Sequence, residues 1–429
     1  MAVQDRLPGS DALRRRLDEG RRAAPERLRA GLPVLLALAL VGLYPLYVDD
    51  LGDIAYVGPY FPIMSTAVVM LIFMMMSVSL NIVVGYAGLL DLGYVAFYAA
   101  GAYMAAWLAS RQFNQVTLHF GSVGLDKSVP GIHISIWLVL IAAALFTAVV
   151  GVLIGLPTLR LRGDYLAIVT LGFGEIIPEI VRNGDSLGGF DLTHGAFGVS
   201  PIDSPGFGEG LQSTLGLPGS FQQSFDRERL FFWSALALLL IAAFVSVRLR
   251  DSRIGRAWIA IREDETAAAA MGIPLMRTKT WAYACGAFFG GIAGAYFASF
   301  RGGAFPSDFV FQISVFILCM VILGGMGSVW GAVVGGAVLA WLNFQGLSNI
   351  GASLSNALDR NVDIGRYAFS IYGAILVIVM LFRPTGLITE RRHKAELAEP
   401  ILEGGAGPVT DAPTDPTRPR DPADRPRAE

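Results

Sequence analysis

The sequence predicts an all-α polytopic membrane protein of about 10 transmembrane helices, with two broken or re-entrant hairpins. Three observations carry this. Hydrophobic residues make up 54% of the 429 residues and charged ones only 16%, too apolar for a soluble chain of this length. The apolar residues fall in runs close to the roughly 20 residues that one helical crossing needs. The 50 glycines suit membrane helices, where small residues let backbones approach closely. Cys285 and Cys319 both fall in apolar segments, which argues against a structural disulfide or a metal site. The net charge of −2, with no basic patch interleaved with aromatics, gives no sign of nucleic-acid binding.

Residues 1–31 form a polar arm in which arginines and acids are mixed, a candidate interfacial helix over Asp11 to Arg29. Its length and acid content argue against a signal peptide. The first span is Leu32 to Val48, and the acidic segment after it (Asp49, Asp50, Asp53) contains no Lys or Arg, so the N-terminus is expected in the cytoplasm. The block 61–110 is long enough for two spans, separated by Gly85-Tyr86-Ala87-Gly88-Leu89-Leu90-Asp91-Leu92-Gly93. Three glycines and an acid there would leave backbone groups unpaired in lipid, so the break must be surrounded by protein or a water-filled cavity.

A polar loop (111–133) precedes a fourth span, Ile134 to Leu156. The run 161–183 reads as a fifth span interrupted by Gly172, Gly174 and Pro178. Glu175 and Glu179, four apart, share one helix face. An ionised acid at mid-bilayer costs about 2.5 kcal/mol or more, so Glu175 is expected to face a polar interior, pair with another group, or be protonated. A buried glutamate pinning two helices together fits the same residue. Residues 184–229 are the longest external loop, containing Leu192-Thr193-His194-Gly195-Ala196-Phe197-Gly198. Leu230 to Val247 is the sixth span.

The loop 248–279 holds seven Lys/Arg residues and a capped helix of about ten residues. Glu263, Asp264 and Glu265 are placed in its first turn, where carboxylates favour the positive end of the helix dipole. Thr266 to Ala270 are mostly strong helix formers, Gly272 can cap the end in a left-handed conformation, and Pro274 stops it. A solvated helix lying on lipid headgroups is the plain reading of such a loop; a helix made for a partner is the other. Beyond it, Trp281 to Phe300 is a seventh span whose Gly286, Gly290 and Gly294 make a small-residue face for tight packing. The eighth span begins at Asp308 and leads into a second break, Gly324-Gly325-Met326-Gly327. The ninth runs from Val329 to Phe344 and the tenth from Tyr367 to Phe382. Both breaks lie between spans and lack Lys and Arg, which suggests two related halves and points to a pathway. The tail 390–429, rich in Pro, Asp, Arg and Gly, is expected to be disordered.

The run Arg253 to Ile273 resembles the cytoplasmic coupling loop of ABC-importer permeases, and more closely that of the Liv-type branched-chain amino-acid permeases, in particular their LivM-like subunit. The resemblance covers most of the chain from Phe61 to Leu387. It includes the Asn-x-x-x-Gly-Tyr-x-Gly run (Asn81, Gly85, Tyr86, Gly88) followed by Gly93 and Phe97, the 161–183 segment, and Leu-Thr-x-Gly-x-x-Gly at 192–198. The chain departs from the family at Asp91, where a small polar residue is usual, and at Tyr94, where His or Gln is. The resemblance implies a non-enzymatic permease subunit in the inner (plasma) membrane that imports branched-chain or related hydrophobic amino acids. It implies a second related permease, two cytoplasmic ATPase subunits and an extracytoplasmic binding protein as partners. ATP would bind the ATPase partners, since the chain has no Gly-x-x-x-x-Gly-Lys-Ser/Thr loop, and no cofactor is expected here. The ATPase-coupling residues implied are Arg262, Glu263, Asp264, Glu265, Ala268, Ala269 and Gly272. The pathway and hairpin residues are Asn81, Gly85, Tyr86, Gly88, Asp91, Gly93, Glu175, Gly324, Gly325 and Gly327. A urea or short-amide permease of similar pattern, and an ion-coupled carrier using Glu175, are the alternatives. The second leaves the 252–274 loop without a purpose. Both chain ends are expected in the cytoplasm, given the Lys/Arg excess on that side.

Overall fold

The computed structural model describes residues 39–48, 60–121, 129–161, 163–186, 191–205, 224–358, 364–383 and 386–388. The predicted arm, the first seven residues of the first predicted span, the acidic segment after it, much of the long 184–229 loop and the tail lie outside the described residues. Helix α1 is Ala39–Val48. Helix α2 (Met64–Asn81) continues through a π turn, Ile82–Tyr86. The chain is then irregular until α3 (Val95–Leu108), followed by α4 (Ile136–Thr158) and α5 (Asp164–Arg182). Helix α6 (Ser224–Asp251) leads to two short helices, α7 (Arg253–Glu263) and α8 (Glu265–Ala270). Then come α9 (Leu275–Arg301), α10 (Phe311–Gly324), α11 (Val329–Trp341) with a π turn, α12 (Leu347–Leu358) and α13 (Ala368–Phe382).

Among the described residues, six helical segments are long and apolar enough to cross a membrane: Met64–Tyr86, Ile136–Thr158, Arg227–Asp251, Leu275–Arg301, Val329–Ser353 and Ile364–Phe382. The other predicted spans are helical too. Ala39–Val48, Val95–Leu108 and Phe311–Gly324 are shorter apolar helices, and α5 carries Asp164, Glu175, Glu179 and Arg182.

Two expectations need correction. Helix α5 is continuous through Gly172, Gly174 and Pro178. A proline ring crowds the carbonyl of the residue four back, and that residue is Gly174, which has no side chain to add to the crowding. The 111–133 segment is also not a plain loop. It closes a small sheet of β1 (Ala109–Ser110), β2 (Thr117–Phe120) and β3 (Gly131–Ile134), in the order β1-β3-β2. β1 runs antiparallel to β3 and β2 parallel to it, with His119 opposite His133. Half-buried backbone must find hydrogen-bond partners, and strand pairing supplies them. Two isolated bridges, Ser110 to Ile202 and Val199 to Ala304, join this sheet and the start of the 302–310 segment to the 191–205 loop. The His133 imidazole bonds the Asp203 carboxylate at 2.8 Å, and the Ser299 hydroxyl donates to the Asp203 carbonyl.

Helices α2, α3 and α9 form the interior, and α9 packs most extensively on α4 and α3. Its predicted glycine face packs on the end of α2 and on α3. An added Cβ would lie 2.4 Å from the Val83 side chain at Gly286, 3.0 Å from the Tyr94 hydroxyl at Gly290, and 2.0 Å from the Tyr98 carbonyl at Gly294. Gly101 and Gly291 extend the seam, with a Cβ on Gly101 falling 2.2 Å from the Gly291 carbonyl oxygen. Backbone therefore touches backbone here, and packing rather than differential hydrophobicity holds membrane helices together. At about 1.5 Å per residue, α9 is about 40 Å long. The sheet lies at one end of it and the loop helices α7 and α8 at the other.

Candidate functional site

The loop 252–274 folds as two helices joined at Asp264, where the sequence suggests one. Ser252 caps α7, its hydroxyl accepting from Gly255 N at 3.1 Å. Gly255 is needed for the tight entry from α6, since a Cβ there would lie 2.2 Å from the Leu249 carbonyl oxygen. Gly255, Trp258 and Ile261 form the buried face of α7. Trp258 is fully buried and its indole N–H donates to the Thr278 carbonyl at 2.8 Å, which fastens α7 to the start of α9. Asp264, extended in backbone, is the cap of α8: one carboxylate oxygen accepts from Thr266 N at 2.7 Å and from Ala267 N at 3.0 Å. Glu263 thus ends α7 instead of starting the next helix, and Glu265 is the first residue of α8. A short polar side chain competing for nearby N–H groups is what separates the two helices.

Helix α8 is held from below. Ala268 is buried, and the Glu265 carboxylate meets the Lys279 ammonium at 2.9 Å. The Lys279 side chain is only 4% exposed, so this pair neutralises a nearly buried cation. At the far end Gly272 adopts φ +85°, where a side chain would be strained, and Gly272 N and Ile273 N donate to the Ala269 and Ala268 carbonyls. Thr266, Ala267, Ala269, Ala270 and Met271 face outward, with Met271 85% exposed.

The first glycine break lies against this loop. Residues 87–94 are non-helical and mostly buried. The Arg262 guanidinium donates to the Gly85 carbonyl. Gly88, at φ +67°, lies on the Arg262 stem, and a Cβ there would be 2.8 Å from Arg262 Cγ. Tyr86 is buried and its hydroxyl shares a 3.1 Å hydrogen bond with Ser246 of α6. Asp91 is buried, and one of its oxygens accepts from Gly93 N at 2.8 Å. Leu92 N donates to the Thr170 hydroxyl of α5, and a Cβ on Gly93 would strike the Thr170 carbonyl at 2.4 Å. Val95 N donates to Ser314 of α10.

The two breaks meet at Asn81. This residue is fully buried, and its side-chain Oδ1 accepts from Gly327 N at 2.9 Å. Gly85 sits directly on the pair: its Cβ would fall 2.0 Å from Asn81 Oδ1 and 2.6 Å from Gly327 N. In the second break, Gly324 ends α10 against the Gly331 carbonyl, and Ser328 caps α11. Gly386 packs on Gly325, while Leu387 N and Ile388 N donate to the Leu323 and Gly324 carbonyls.

Glu175 is not part of this cluster. Helix α5 flanks the first break through Thr170 and Gly174, but Glu175 is exposed and makes no hydrogen bond or ion pair among the described residues. It lines a surface concavity of about 590 Å³ with Ile176, Glu179, Ile180 and Asn183. Glu179 is paired with Arg182 at 2.9 Å. Sequence reasoning missed Trp258, Lys279, Ser314 and Thr170. Trp258 alone left a signal, standing three residues from Gly255 and three from Ile261 in a helix flanked by arginines.

The model of the family described as "Branched-chain amino acid transport system / permease component" matches residues 63–381. The chain is 35% identical over 348 residues to the Escherichia coli high-affinity branched-chain amino acid transport system permease protein LivM, covering 79% of this chain and 72% of that relative. It is 26% identical over 340 residues to the probable LivM of Methanocaldococcus jannaschii, covering 75% and 91%. To the Escherichia coli permease LivH it is 28% identical over 177 residues, covering 41% and 52%. No solved structure matches it. These relatives are named as transport permeases and not as enzymes, and the chain belongs, as a LivM-like member, to the family of permease components of branched-chain amino-acid transport systems.

Proposed function

We propose that this chain forms the translocation pathway of an ATP-driven importer of branched-chain and related hydrophobic amino acids together with a second, related permease. Two cytoplasmic ATPase subunits bind the ATP, and an extracytoplasmic binding protein delivers the substrate. The likeness to both LivM and LivH supports a pairing of related permeases. The observation that carries the coupling role is helix α8. It is capped at both ends, seated on α9 through the Glu265–Lys279 pair, and turns Thr266, Ala269, Ala270 and Met271 outward. Short neutral side chains with one projecting thioether suit a shallow protein groove better than a headgroup layer, where cations are expected.

The membrane domain is residues 32–389, with the arm 1–31 and the tail 390–429 on the cytoplasmic side together with the loop helices. Helices α1, α3, α5 and α10 complete ten crossings, and the two glycine breaks form hairpins within the protein. Glu175 faces the second permease or the pathway, because a carboxylate facing lipid costs about 2.5 kcal/mol or more. The test is uptake of labelled leucine in cells carrying both permeases and the binding protein, with the ATPase subunits present or deleted. Uptake that persists without the ATPase subunits sinks the importer reading and favours an ion-coupled carrier.

A further inference from the structure

We propose that Arg262 is the positioning residue through which movement of the loop helices enters both glycine breaks. This rests on the importer reading and names the contact that would serve it. The plain alternative is transmission through the ends of the loop, along α6 and α9. The geometry points instead to a direct contact.

Arg262 stands one residue before the end of α7, with its side chain against the first break. The other flank of α7 is locked by Trp258 and Ile261, so the helix cannot slide without carrying Arg262 with it. The guanidinium donates to the Gly85 carbonyl, which lies in the π turn. Such turns leave carbonyls without regular helical partners. Arg262 forms no ion pair among the described residues, so no carboxylate competes for it. The stem of the same side chain supports Gly88 in its left-handed conformation.

From Gly85 the contact continues without a gap. Gly85 rests on the Asn81 side chain, Asn81 accepts from Gly327 N, and the neighbouring Gly325 carries Gly386. One cation on the loop thereby reaches the second break through three contacts: Arg262 to Gly85, Gly85 to Asn81 and Asn81 to Gly327. These contacts are side chain to backbone, and can be exchanged without unravelling a helix.

The experiment uses the complete complex in proteoliposomes and measures three quantities: ATPase subunits retained, ATP hydrolysed, and substrate taken up. For R262A the expected result is full retention of the ATPase subunits, with ATP consumed per substrate raised by about tenfold or more, the scale of one lost charge-assisted hydrogen bond. R262K, which keeps the charge but not the planar fork, should fall between R262A and the parent chain. An unchanged ratio in R262A overturns the proposal. Loss of the ATPase subunits in R262A also overturns it, since Arg262 would then act at the docking face. If R262A does not assemble, G88A is read in its place, because its Cβ presses on the intact Arg262 stem. A raised ratio there supports the proposal and an unchanged one overturns it. Absence of ATP-driven uptake by the parent complex sinks the importer reading itself, which keeps the two failures apart.

Discussion

At the scale of single residues, Gly85 is the tightly packed position that joins the two breaks. Its missing side chain is replaced by the Asn81 amide on one side and the Gly327 backbone on the other, at 2.0 and 2.6 Å from where a Cβ would stand. An alanine must push two buried groups apart, and overpacking of this kind costs about 1–3 kcal/mol. Gly85→Ala is expected to lower the thermal stability of the detergent-solubilised protein and to reduce uptake. Gly172→Ala, which meets nothing within 4 Å, is the matched control and should be neutral or slightly stabilising. Equal melting of the two variants would remove the Asn81–Gly85–Gly327 contact from the account. Lys279 teaches a related lesson. A lysine in a basic loop reads as a surface charge, yet here it is nearly buried and committed to Glu265.

At the scale of elements, the division of the loop into α7 and α8 changes which substitutions are informative. Reversing Glu265 would break the pair with Lys279 and leave a buried cation beside a second cation, an effect on folding and not on docking. Glu263 is the cleaner charge probe, since it is exposed at the end of α7. Ala269 and Ala270 are the cleaner mechanical probes, since Ala268 is buried. Glycine at both should cost about 1 kcal/mol of helix propensity per site without altering charge. The expected outcome for A269G/A270G is normal membrane insertion, weakened co-purification of the ATPase subunits and reduced uptake. E263K should insert equally well and weaken co-purification in a salt-dependent way. If both variants retain ATPase binding and uptake, α8 is a connector, and the coupling role falls with it.

At the scale of the whole molecule, the exposed Glu175 is the position that the proposed second permease or pathway would have to answer. A glutamate in the second half of α5, facing outward among Ile176 and Ile180, has no counterpart among the described residues. The sequence left a helix-pinning role open. The structure turns the residue away from its own bundle. Glu175→Gln is expected to insert and assemble normally while reducing uptake severalfold, with uptake at matched expression as the measurement; unchanged uptake would take Glu175 off the functional path. Much of the architecture could be read from the sequence, because long apolar runs, glycine clusters and a capped polar helix are local patterns. The two breaks and the Gly286–Gly290–Gly294 face were legible for that reason. What joins them was not. Arg262 and Gly85 are 177 residues apart, and Asn81 and Gly327 are 246 apart, so no spacing rule links them. The small sheet escaped notice because each strand is two to four residues long. The Asp264 division escaped because a capping aspartate and a first-turn aspartate look alike in sequence.

The sheet has a mechanical consequence. At that end, strand ladders and two backbone bridges join the residues that follow α3 and α9, those that precede α4, and the 191–205 segment into one clasp. Towards the other end of α9, the Arg262 and Asn81 side chains rest on backbone atoms of the two glycine breaks, beside the Trp258–Thr278 and Glu265–Lys279 contacts. In the proposed importer this clasp is the expected fulcrum, so that displacement on coupling should grow with distance from it and be widest beside α7 and α8.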